Sequence, residues 1–239
     1  MKTAMIPRCF SMVIVVAAAA SGCGEGELSL GASLERLAAA PAYPAGPYGT
    51  TKGSTVASYQ LMGYQNAQVD HLATKPIRLA DFYNPHADDP GYAPATPADD
   101  DRLFPAGSIY GSGAPKPTTL SITISSLWCG ACKKEAKMVL PAKYLAYKPL
   151  GGEFLVQLDD GPAPGRSAAS QDLTVWTTQF HVNYPATIDP GRQLDALFVA
   201  SVYPANIIIN TRTMKIVEVV PGIPEDGYWT TFEATLTGP

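Results

Sequence analysis

The β-branched run Thr118–Ser125 (TTLSITIS) leads within a few residues into Cys129 and Cys132, and a helical pattern follows at once. Over Lys133–Lys148, Ala136, Val139, Leu140 and Tyr144 recur at helical spacing, and Pro141 interrupts the pattern and predicts a kink. A strand that ends in Cys-x-x-Cys at a helix start demands a sheet whose strands feed helices. The rest of the chain fits that demand. Phe154–Leu158, Ala186–Ile188, Asn206–Asn210 and Met214–Val220 read as strands, the last two joined as a hairpin. Gln171–Phe180, Arg192–Ala200 and Tyr228–Leu236 read as helices, with Trp176 and Phe180 as core residues. Val56, Tyr59, Leu61 and Ile77–Leu79 are strand-like as well. The expected class is α/β, a mixed sheet flanked by helices with antiparallel pairing at one end.

Three readings of Cys129 and Cys132 are open: a structural staple, half a metal site, and a redox pair. A staple across so short a loop removes little unfolded-state entropy, because that stabilisation grows with loop length. A zinc site usually takes four ligands, and His71, His86 and His181 lack ligand spacing. A sulfur at a helix start meets unpaired amides and the positive end of the dipole, which favours thiolate below the free-thiol pKa of ~8.5. Cys132, one turn further on, is placed to resolve a mixed disulfide at Cys129. The redox reading is favoured, and it calls for no cofactor and no metal.

The N-terminus bears on the same question. Lys2 and Arg8 precede an apolar stretch from Met12 to Ala20, a secretory pattern too short to span a membrane permanently. It ends in Ala20-Ser21-Gly22-Cys23, which resembles the lipobox of bacterial lipoproteins. That resemblance implies a signal peptide over 1–22, a lipidated Cys23, and a protein anchored in the cell envelope facing the periplasm. Gly24-Glu25 after the cysteine favours the outer membrane over the inner. Cys9 would be discarded with the signal, leaving Cys129 and Cys132 as the remaining thiols in an oxidising compartment.

Residues 23–52, small and proline-rich, read as a flexible tether, and 53–239 as one domain. Within it, 84–117 is dense in proline, glycine and aspartate and reads as a surface insertion. Asp88, Asp89, Asp99, Asp100 and Asp101 there lack the glycine and terminal glutamate of an EF-hand loop, so a solvated loop is expected. A net charge of −4 with 16% charged residues excludes a basic nucleic-acid footprint.

LWCGACKKE after the strand, Tyr203-Pro204 before NIIIN, and the closing hairpin resemble the thioredoxin-like thiol–disulfide oxidoreductases, within them the exported, membrane-tethered branch. The resemblance implies a thioredoxin-like fold and exchange of disulfides with protein substrates, with electrons from a partner redox protein. It implies that Cys129 attacks, that Cys132 resolves, and that the two form the redox-active disulfide. It implies that Trp128 packs beside that disulfide and shapes the docking surface, that Pro204 is a cis-proline, and that Tyr203 sits near the sulfurs. Tyr184-Pro185-Ala186 repeats the motif of Tyr203-Pro204-Ala205, but only the second precedes an apolar strand and hairpin.

The departures are also specific. Thr123 stands where many thioredoxins carry a buried aspartate, and Gln157 where a lysine is frequent. Glu135 matches a carboxylate of the exported reductases, which makes it the candidate proton carrier, against the alternative of an exposed helix glutamate. Two other functions compete with this reading. A peroxiredoxin-like thiol peroxidase wants a Pro/Thr-x-x-Cys setting and a supporting arginine, which SSLWC lacks. A binding lipoprotein with a static disulfide is the non-catalytic alternative.

Overall fold

The computed structural model describes residues 42–70, 73–197 and 202–238. The signal segment, Cys23, most of the tether, His71 and the end of the helix expected over Arg192–Ala200 lie outside the described residues.

Seven strands form one sheet in the order β2-β1-β5-β4-β3-β6-β7. They are β1 (Gln60–Tyr64), β2 (Lys75–Arg78), β3 (Thr119–Ser126), β4 (Gly152–Asp160), β5 (Ala186–Ile188), β6 (Ala205–Asn210) and β7 (Lys215–Pro221). β3, β4 and β5 pair in parallel, and β6 and β7 continue the sheet antiparallel on the far side of β3. β1 and β2 add an antiparallel pair at the other edge, next to β5, so antiparallel pairing occurs at both ends and not at one. Among the described residues, the four α-helices are α1 (Gly130–Met138), α2 (Leu140–Tyr147), α3 (Ser170–Gln179) and α4 (Asp226–Leu236). The predicted kink is a break: α1 ends at Val139 (φ −111°, ψ −61°), and Pro141 occupies the first turn of α2, where its missing N–H leaves no bond unmade.

Each face of the sheet is buried under a different kind of cover. Residues from all four α-helices, among them Ala136, Tyr147, Trp176 and Phe232, share one apolar cluster with Phe154, Val156, Leu158 and Ile208 of the sheet. The opposite cluster gathers Leu120, Ile122, Ile124, Leu155, Ile207 and Ile209 with residues from segments that form no α-helix. Val56, Phe82, Phe104 and Leu194 come from those segments. Where a longer helix was expected from Arg192, a 3-10 helix covers Gln193–Leu197.

The segment 84–117 therefore has more to do than a surface insertion would. Phe104 is 4% exposed, and its ring stacks on Tyr110 at 4.8 Å and meets Phe82 edge-on at 6.5 Å. Its aspartates pair within the fold: Asp101 with His86 at 2.7 Å, Asp100 with Arg102 at 2.7 Å, and Asp88 with Arg212. The end of the stretch read as a tether also packs against the domain. Tyr43 donates to the Val56 carbonyl at 2.8 Å and lies edge-on to Tyr83 at 5.8 Å.

Phe104→Ala is expected to destabilise the protein by about 3–5 kcal/mol in denaturant unfolding, as for other buried phenylalanines, whereas Pro97→Ala at the segment's surface changes stability by less than about 0.5 kcal/mol. Equal, small effects of the two would show that the segment is not part of the core.

Candidate active site

β3 is buried along its whole length between β4 and β6, and its far end delivers the chain to the cysteines. Cys129 is the N-cap of α1, with extended backbone (φ −76°, ψ 115°), and its Sγ accepts the backbone N–H of Cys132 at 3.1 Å. Sulfur thus takes the capping role that a serine or aspartate oxygen fills in other helices. Cys129 and Cys132 are joined as a disulfide, with Cα atoms 5.3 Å apart. Cys129 is 5% exposed and Cys132 fully buried, so the first is the more accessible cysteine. Among the described residues, no cluster of His, Cys, Asp or Glu could hold a metal ion.

The Tyr203–Pro204 bond is cis, and Tyr184–Pro185 is not. β6 runs antiparallel to β3 with Ala205 opposite Ile124, which sets Pro204 at the edge where β3 passes into Cys129. Tyr203 stands beside Trp128, the rings perpendicular with centroids 5.8 Å apart. Trp128 is 39% exposed, hence no ordinary core aromatic.

Glu135 lies three residues after Cys132 on the same face of α1, and it is completely buried, not an exposed helix carboxylate. Neither carboxyl oxygen has a hydrogen-bond partner. Burial pushes its pKa from 4.5 up to about 8, against a smaller opposing effect of the nearby Asn206 amide. The surroundings on this helix-covered side of β3 are hydroxylated. Thr123 donates to Asn206 Oδ1 at 2.7 Å, the Asn206 amide donates to the Gly222 carbonyl at 3.1 Å, and Ser121 pairs with the Tyr228 hydroxyl at 2.8 Å. Thr123 occupies the register position directly opposite Asn206, so the place expected of an aspartate holds a neutral hydroxyl–amide pair. Gln157 is buried, with its side-chain carbonyl unpartnered.

Sequence reasoning missed Asp159, Asp160 and Arg192. The β3–β4 register shifts at Ser125/Ser126, so that Ser126 pairs with Asp160 and Asp159 is passed over. Trp128 Nε1 donates to Asp160 at 3.0 Å, and the Gly165 amide donates to the same oxygen at 2.9 Å. Arg192 bridges Asp160 and Asp159, the latter at 3.0 Å, and the Tyr203 hydroxyl donates to Asp159. Burial raises the Asp159 pKa, with the Tyr203 hydroxyl opposing it. Burial acts on Asp160 too, but the Gly165 amide, Trp128 indole and Arg192 together hold its carboxyl below the usual range. The one signal in the sequence was an Asp-Asp pair closing a strand.

The raised Glu135 pKa fixes the sign of a pH effect. The folded protein holds a proton there that the unfolded chain releases near pH 4.5, so Glu135 makes stability fall as pH rises from about 4.5 to about 8. Glu135→Gln is expected to remove that decline, whose slope is at most ~1.4 kcal/mol per pH unit, and to be the more stable form at pH 8.5 in urea unfolding. Parallel pH–stability curves for the two proteins would show that Glu135 is ionised in the fold.

No family model and no curated protein matches the sequence. Among solved structures the chain is similar to a protein of Chlorobium tepidum described as a thiol:disulfide interchange protein, DsbE. Their identity is 14%, the match covers 78% of this chain and 98% of that one, and the TM-score is 0.52. The protein SMc02350 of Sinorhizobium meliloti 1021 is similar at 13% identity, over 79% of this chain and 85% of that one, with a TM-score of 0.53. An uncharacterized conserved protein of Geobacillus kaustophilus gives 14% identity, coverage of 79% and 84%, and a TM-score of 0.53. A mixed sheet flanked by helices, with a disulfide capping the helix that follows the interior strand β3, gives this chain a thioredoxin-like fold.

Proposed function

We propose that the protein is a thiol–disulfide oxidoreductase that exchanges disulfides with protein substrates through Cys129 and Cys132. The observation that carries this is the position of Cys129 Sγ as the acceptor at the N-cap of α1, bonded to a fully buried Cys132. An amide and a helix terminus aimed at sulfur stabilise a thiolate there once the disulfide is reduced.

In the reducing direction, the Cys129 thiolate attacks a substrate disulfide, forms a mixed disulfide and expels one substrate thiolate. Cys132, deprotonated, then attacks the Cys129 sulfur, re-forms the internal disulfide and expels the second substrate thiolate. Two electrons pass from the dithiol to the substrate, which takes up two protons. Glu135, whose pKa of about 8 lies near that of a thiol, accepts the Cys132 proton in its ionised form, which gains population as the pH rises toward 8. Trp128 and Tyr203 border the pair and serve as the docking surface, with Pro204 beside them. A partner redox protein returns the electrons. No cofactor enters the cycle.

The setting rests on Ala20-Ser21-Gly22-Cys23: a lipidated Cys23 would hold the domain to the envelope, on the periplasmic side and at the outer membrane. Among the described residues no helix is long and apolar enough to cross a membrane.

The protein is expected to catalyse insulin reduction by dithiothreitol. Cys129→Ala should abolish it, and Cys132→Ala should accumulate a mixed disulfide with the substrate, visible on non-reducing gels. Peroxide consumption without insulin reduction would favour a peroxidase. A pair inert in both assays would favour a static disulfide.

A further inference from the structure

The contacts around Trp128 and Tyr203 close into a ring. Trp128 donates to Asp160, Arg192 joins Asp160 to Asp159, Tyr203 donates to Asp159, and the Tyr203 and Trp128 rings meet edge-on. Asp159 and Asp160 are consecutive in β4, so their side chains leave opposite faces of the sheet. One guanidinium at the strand's end reaches both, because its planar fork offers separate N–H groups to two carboxylates. It also holds Asp195, at 3.2 Å. Both aspartates are almost completely buried, while the Arg192 side chain is 32% exposed. Without the cation, two consecutive buried carboxylates would keep only neutral donors and no counter-charge, at a large electrostatic cost.

We infer that Arg192 is a positioning residue for the docking surface: through Asp160 and Asp159 it locks Trp128 and Tyr203 into one preformed aromatic wall beside the disulfide. The inference rests on the exchange reading for its consequence, though not for its geometry. The wall belongs to two chain segments, the turn before Cys129 and the segment before Pro204. β3–β6 pairing brings their backbones together, and ring contact and the bridge tie their side chains. A protein substrate would then meet Trp128 already oriented, with little rotamer freedom left to lose on binding. A small disulfide needs only the sulfur. Arg192 should therefore govern the KM for protein substrates and leave the chemical step alone.

The discriminating variant is Arg192→Lys, which keeps the charge but presents a single point donor, with Arg192→Met as the neutral companion. Two quantities would be measured. One is hydrogen exchange of the Trp128 indole N–H by NMR, which needs no activity. The other is steady-state insulin reduction set beside reaction of the reduced protein with a small aromatic disulfide. In Arg192→Lys, indole exchange should accelerate and the KM for insulin should rise about tenfold, with kcat and the small-disulfide rate within about twofold of the parent. Trp128→Phe combined with Arg192→Lys should cost little more than either alone, because both act through one wall. Unchanged indole exchange and KM in Arg192→Lys would overturn the inference, since charge alone would then suffice. A fall in kcat and in the small-disulfide rate together would overturn it too, by placing the effect at the sulfurs. If the parent protein itself reduces no insulin, the exchange reading fails and indole exchange alone decides whether Arg192 locks the wall.

Discussion

The two-sided character of β3 governs the rest of the structure. One face, Leu120, Ile122 and Ile124, joins the apolar cluster under the non-helical segments. The other, Ser121, Thr123 and Ser125, is equally buried but carries hydroxyls beneath the helices. Strand pairing on both sides satisfies the backbone and fixes where the chain emerges. At that point Cys129 caps α1, and the helix buries Glu135 against the polar side of the same strand. One strand thus positions the sulfurs and supplies the environment of the acid beside them.

Carboxylate charge near the sulfurs is restrained by two separate means. Glu135 is kept protonated at neutral pH by burial, so it adds no negative charge beside a forming thiolate until the pH passes about 8. Asp159 and Asp160 remain together because Arg192 compensates them, and Asp160 in turn orients Trp128. A helix N-terminus can stabilise a thiolate only while nearby carboxylates do not cancel its field. Protonation of Glu135 and the Arg192 bridge both act toward that condition.

What was legible in the sequence was whatever local pattern dictates. The β-branched run predicts β3, the cysteines at a helix start predict the cap, and Pro141 predicts an interruption, read as a kink, where α1 and α2 separate. The second Tyr-Pro-Ala, which precedes an apolar strand, holds the cis bond. What was not legible depends on partners distant in the chain. Phe104 and Tyr110 are lone aromatics in a proline- and aspartate-rich stretch, and only Phe82 and the sheet reveal Phe104 as core and Tyr110 as packed against it. Arg192 meets Asp159 and Asp160 more than thirty residues away, across a register shift that no periodicity announces. Burial of Glu135 is a third case, because a glutamate after two lysines on a helix reads equally well as solvated.

The central claim is that Cys129 and Cys132 form a couple that cycles within the intact fold. Equilibrium titration of the pair against glutathione redox buffers, followed by the fraction of free thiol and by circular dichroism together, tests this most directly. The account predicts one reversible two-electron transition within the range of about −270 to −120 mV spanned by thioredoxin and DsbA, with the fold retained in both states. A disulfide that resists reduction until the protein unfolds would contradict it.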